Sequence, residues 1–209
     1  MISLDAAPIT LMLLVVNVLV SIYGLFMDQS LIARLSFRPV LIQRGQAYRF
    51  ITGAFVHAGI GHLAFNMITL YFFGPWMEVR VGSLPFLLLY FGSLLAAHAY
   101  TYVKKKDDPS YAAVGASGAV SGVLLGFCLY QPFAMLGIMF VIPMPAILFA
   151  VLYIGGSIYM AKQAEAQGAQ GGIAHEAHLG GALGGILITI ALDPSVIGAF
   201  FRQITSVIG

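Results

Sequence analysis

Residues 111–127 read YAAVGASGAVSGVLLGF, an uncharged run that sets Ser117 within a cluster of glycines. Small residues so dense in an apolar segment either let two helices touch or prepare Ser117 to react. Gly118, Gly122 and Gly126 recur every four residues, clearing one helical face so that another backbone can approach to van der Waals contact. The same device returns at 177–185, AHLGGALGG, where Gly180 pairs with Gly184 and Gly181 with Gly185. The two segments are therefore expected to be neighbours. Ser117 and His178, each just N-terminal to its glycine stripe, would then meet.

Composition places these helices in a bilayer. Of 209 residues, 60% are hydrophobic and 9% charged, against about 25% charged in soluble domains. A crossing helix needs about 20 mostly apolar residues, and six stretches qualify: 8–27, 61–77, 83–103, 112–130, 144–161 and 177–197. The first begins without a basic region and is read as a membrane helix, not a cleaved signal peptide. The connections at 28–49, 104–109 (KKKDDP) and 162–172 collect the polar residues. The segment 132–143, bracketed by prolines, is expected to be a membrane-level loop or broken helix. The expectation is an all-α membrane protein forming one domain over residues 1–209. The net charge of +2 is too small and dispersed for a nucleic-acid partner, and Cys128 has no second cysteine to pair with.

Antiparallel crossing puts the starts of spans two, four and six on one side of the membrane. His62 and Asn66 lie near the first of these starts, Ser117 near the second, and His175 and His178 near the third. Ionisable groups in a membrane face a bundle interior or a water-filled cavity, so their coincidence marks a site. Singly, each could be an interhelical hydrogen bond. Together they suit acyl transfer: a serine hydroxyl attacks when a histidine removes its proton, and His62 and Asn66, one helical turn apart, can both donate to a developing oxyanion. No acid stands ready to orient the histidine. Asp107, Asp108, Glu165 and Asp193 fall in loops or at the opposite end, and Glu176 points about 100° away from its neighbour on a helix. A dyad fits better than a triad. The rival reading of His57, His62, His175 and His178 as metal ligands lacks acidic or cysteine partners and leaves Ser117 and Asn66 unexplained; no metal or other cofactor is expected.

From about Tyr48 to Gly185 the chain resembles the rhomboid intramembrane serine proteases. FVHAGIGHLAFNM carries an HxxxN element as His62 and Asn66, GASG a GxSG element with Ser117, and AHLGGALGG an AHxxGxxxG element with His178, Gly181 and Gly185. The resemblance implies a six-transmembrane-helix bundle with a partly membrane-immersed first loop. It makes Ser117 the nucleophile and His178, not His175, the general base; His62, Asn66 and the Ser117 amide become the oxyanion site. Glu78 with Gly82, and Tyr48 with Arg49 where the family often has Trp-Arg, are weaker matches. Ser121 departs from the pattern: some relatives carry there a tyrosine that packs on the catalytic imidazole, so something else must hold His178.

The function so implied is an endopeptidase that cuts other proteins' transmembrane segments in or near the bilayer. Substrate would enter sideways between spans two and five, and residues 163–172 would cap the site from the water side. The alternatives are a catalytically silent rhomboid-like protein that binds membrane segments, and a small-solute transporter, against which stands the lack of a clear internal repeat. Lysines and arginines flanking the spans concentrate on the site's side, which the positive-inside rule assigns to the cytoplasm. Bacterial rhomboids resemble one another in the opposite arrangement, and that is the expectation adopted, for a multi-pass protein of a bacterial inner membrane.

Overall fold

A computed structural model describes residues 2–138, 142–166 and 174–208. In chain order its helices are α1 (Pro8–Phe26), α2 (Ser30–Leu35), α3 (Pro39–Gln43), α4 (Arg49–Thr52), α5 (Ile60–Val81), α6 (Ser83–Lys105), α7 (Ser117–Tyr130), α8 (Ala146–Ala166), α9 (His175–Leu192) and α10 (Ser195–Ile208), with a hairpin of β1 (Met135–Ile138) and β2 (Ile142–Pro145) before α8. The bundle is formed by α1, α5, α6, α7, α8 and α9, as the six expected spans required. Among the described residues, α1, α6, α8 and α9 are each long and apolar enough to cross a bilayer, and α5 joins α4 and its following turn across a 97° bend. The smallest is α7, with 14 residues, or about 21 Å of rise.

Three expected boundaries change. The fourth span is helical only from Ser117; residues 111–115 are not helical, with Phe37 and Ala113 paired in an antiparallel bridge. Of the two readings of 132–143 the broken helix falls and the loop stands: its described residues include β1 and the first residues of β2, in register Met135↔Pro145, because prolines at 143 and 145 bar a helix while cross-strand bonds satisfy the backbone. The sixth span stops at Leu192, where Asp193-Pro194 ends one helix and Asp193 Oδ1 accepts the Ser195 amide at 3.1 Å to start the next. The proposed cap at 163–172 falls, beyond residue 166, outside the described residues.

The centre is a three-helix contact of α6, α7 and α9. A Cβ on Gly181 would meet the Gly118 backbone, one on Gly185 the Gly122 backbone, and one on Gly126 the Thr189 Oγ1 at 2.6 Å. At the far end, Tyr130 donates to Asp193 at 3.0 Å. All four pairs share an offset of 63 residues, so α7 and α9 run parallel in one register. The third member enters through Ser93 and Ala97, which would clash with side chains on Gly122 and Gly118, and through Ala96 against Gly180 and Gly184.

The first loop is stitched to this core. Arg49 is buried, and its guanidinium donates to Ser36 O at 2.7 Å, Ala33 O at 3.2 Å and Gln46 Oε1 at 2.7 Å. Phe37 stacks on His98 of α6 with centroids 4.3 Å apart, and Gly115 N donates to Gly53 O at 2.8 Å. At the other face Glu78 is a buried carboxylate that accepts Ile9 N, Thr10 N, Thr10 Oγ1 and Ser83 Oγ at 2.7–3.0 Å. It thereby ties α1's first turn, whose amides lack intrahelical partners, to the α5–α6 junction. Outside the spans, the Ser30 hydroxyl and Arg34 hold the Asp28 carboxyl below the usual carboxylate range.

Candidate active site

Ser117 opens α7, and the backbone before it explains why a glycine precedes it by two. Gly115 has φ +107°, a conformation closed to most side chains, and a Cβ there would lie 2.8 Å from His62 Nε2. The missing side chain lets the His62 imidazole rest against the backbone leading into Ser117. On α5, Asn66 lies one turn after His62 and its Nδ2 donates to His62 O at 2.9 Å. The first amides of α7 have no intrahelical acceptor and no side-chain cap, so they leave a positive helix end beside Ser117.

The amide of Ala116 is spent differently. It donates to His57 Nε2 at 3.3 Å, and a backbone N–H can only donate, so His57 carries its proton on Nδ1. That proton goes to Ser21 Oγ of α1, 2.7 Å away, and the Ser21 proton goes to Phe55 O at 3.0 Å. His57, wholly buried, therefore braces the residue before Ser117 against α1. Sequence reading listed it only among metal ligands; among the described residues no three histidine, cysteine or carboxylate side chains converge for a metal.

The parallel register also positions His178. Gly118 lies against Gly181, and a Cβ on it would also lie 3.5 Å from Ala177 O, which brings His178 to the level of Ser117. Ser117, His178, His62 and Asn66 all line one cavity of about 730 Å³, together with Ser121, Tyr153, Phe65 and Phe149. His175 does not line it; its ring meets His178 edge-on at 6.2 Å. Among the described residues no hydrogen bond joins Ser117 Oγ to His178, and such bonds often tighten only with substrate. Glu176 is engaged elsewhere, 3.3 Å from Lys105 Nζ of α6.

The cavity is walled on one side by α5, through His62, Phe65, Asn66 and Thr69, and on another by α8, through Phe149 and Tyr153, two helices that make little direct contact. A second apolar hollow of about 490 Å³ continues it through Phe65, Thr69, Leu124 and Phe149 to Trp76 and Leu136. Sequence reasoning missed Tyr153, whose ring lies over His178 with centroids 6.2 Å apart and planes at 23°. Its only signal was a polar tip within an apolar run.

Comparison with known proteins agrees with the geometry. The Rhomboid domain model matches residues 44–194. "RHOMBOID-like protein 12, mitochondrial" of Arabidopsis thaliana is 35% identical over 66% of this chain and 44% of its own length. "Rhomboid protease GluP" of Bacillus subtilis is 29% identical over 80% of this chain and 30% of its own. "Rhomboid protease AarA" of Providencia stuartii is 29% identical over 90% and 74%. The chain thus spans less than half the length of the Arabidopsis and Bacillus proteins. With its helical bundle and a family match running from the first loop past the last glycine stripe, the chain belongs to the rhomboid family.

Proposed function

We propose that the protein is an intramembrane serine endopeptidase that hydrolyses peptide bonds in or near transmembrane segments of other membrane proteins. Ser117 Oγ attacks the scissile carbonyl while its proton passes to His178. The oxyanion is held by the Ser117 amide with His62 and Asn66. Collapse expels the amine, which takes the proton from His178, and water drawn through the same base releases the acyl group. The observation that carries this reading is the convergence of Ser117, His178, His62 and Asn66 on one cavity walled by α5 and α8; an opening toward lipid between those two helices is part of the proposal. Two relatives bear the name rhomboid protease, which favours chemistry over silent binding. A substrate helix would enter by that opening and unwind where its backbone meets Gly115 and Ser117. A bacterial inner membrane would suit the Bacillus and Providencia relatives, and a mitochondrial one the Arabidopsis relative; the bacterial membrane, with the site toward its extracytoplasmic half, is adopted on the family resemblance. The charges of the first loop weigh less against it, since Arg34 is paired with Asp28 and Arg49 is buried.

The test is cleavage of a single-span protein in liposomes by the unmodified chain, Ser117→Ala and His178→Ala, beside labelling by a fluorophosphonate. Cleavage and labelling should vanish in both variants. Unchanged cleavage by Ser117→Ala would overturn the dyad, and binding of the segment with neither cleavage nor labelling by the unmodified chain would favour the silent alternative.

A further inference from the structure

The dyad leaves His178 without a carboxylate to orient it, since Glu176 is paired with Lys105. The neighbouring groups form a chain that can be read proton by proton. Ser121 Oγ donates to Ser117 O at 2.6 Å, which uses the only proton that hydroxyl has. The contact of 2.5 Å between Ser121 Oγ and the Tyr153 hydroxyl must therefore run from tyrosine to serine. The Tyr153 ring in turn lies near-parallel over His178, and Phe149, one turn earlier on α8, backs it with centroids 5.6 Å apart and planes at 26°. The base is thus faced by an aromatic ring whose tip is moored to the helix that carries the nucleophile.

We propose that Tyr153 is the positioning residue of the base: its ring fixes the plane of the His178 imidazole, and Ser121 fixes the ring. The inference rests on the dyad reading. It gives Ser121 the task of an anchor, and it places the orienting group on α8, the least buried of the four long apolar helices and one wall of the cavity. Whatever shifts α8 also shifts the surface against which His178 rests.

Four variants in liposomes test it: Tyr153→Leu, Tyr153→Phe, Ser121→Ala and the double variant Tyr153→Phe/Ser121→Ala. Each is measured for kcat, KM, fluorophosphonate labelling rate and thermal midpoint, with Ser117→Ala as the inactive reference. Tyr153→Leu should lower kcat and the labelling rate together by about three- to tenfold, with KM unchanged, the scale of an aromatic contact. Tyr153→Phe, which keeps the ring, should restore most of that. Ser121→Ala should cost about two- to threefold, and the double variant no more than Ser121→Ala alone, because the hydrogen bond that Tyr153→Phe deletes is already lost with the Ser121 hydroxyl. Unmodified kcat and labelling in Tyr153→Leu would overturn the proposal while leaving the dyad standing. So would additive losses in the double variant, or a loss confined to KM. Should Tyr153→Leu fail to fold, the hydrogen-bond cycle still decides, since its changes each delete a single oxygen. Cleavage by Ser117→Ala would instead remove the reading beneath it.

Discussion

Replacing Gly181 with alanine tests how closely α7 and α9 must approach for the site to exist. The new Cβ would fall 2.7 Å from the Gly118 carbonyl carbon and 2.9 Å from its Cα, with the carbonyl oxygen nearer still. These are backbone atoms of a packed helix and cannot swing aside. Ordinary contact begins at 3.4 Å, so the helices must part by about 0.7 Å or more. Overpacking of this kind costs about 1–3 kcal/mol. The parting falls three residues after His178 and one after Ser117, so it opens the gap between them. A misplacement near 1 Å in a catalytic constellation costs about a hundredfold, and the expected loss is on the order of ten- to hundredfold in kcat. The assay is cleavage and fluorophosphonate labelling in liposomes, with a thermal midpoint for stability. Gly155→Ala is the control: nothing lies within 4 Å of a Cβ there, and a helix gains about 1 kcal/mol by that exchange. Full activity and an unmoved midpoint in Gly181→Ala would refute the parallel register.

Glu78→Ala should lower stability by about 3–5 kcal/mol, because four donors lose a buried acceptor, and Glu78→Gln by visibly less; denaturation in detergent measures both. His57→Ala should cost about 2–4 kcal/mol by leaving a cavity and an unpaired Ala116 amide, and adding Ser21→Ala should add little, a cycle readable in the same assay. Asp193 is held below the ordinary carboxylate range by the Ser195 hydroxyl first, then Tyr130 and Arg80. A lowered folded-state value means that its contribution is whole above about pH 4 and fades as pH falls further. Asp193→Ala should therefore lower the thermal midpoint slightly at pH 7, and the difference should shrink toward pH 3; a difference that grows in acid would contradict the sign.

Much of the site could be read in the chain because its determinants are local. The glycine stripes beginning at 118 and 180 announce a close contact by period alone, and the three motifs fix which residues head each helix. What could not be read depends on distances between segments that share no pattern. Tyr153 sits in ILFAVLYIGGS with nothing to say which way it turns, and only the packing of α8 on α9 brings it over His178. His57 gave a histidine without a partner, because Ser21 and Ala116 reach it from 36 and 59 residues away. The hairpin escaped because prolines at 132, 143 and 145 exclude helix without specifying what replaces it.

The shortness of α7 has a consequence for what happens after a bond is cut. At about 21 Å it spans only part of a hydrocarbon core of about 30 Å, and it shares its far end with α9 through Tyr130 and Asp193. Ser117 therefore stands below the level at which a full crossing would begin. On the proposed function, hydrolysis there would turn one neutral amide into a carboxylate and an ammonium at a depth where charge is costly. The two fragments would become strangers to the place that made them, and hydration would pull their new ends toward the surface, so that departure would be driven by the chemistry itself.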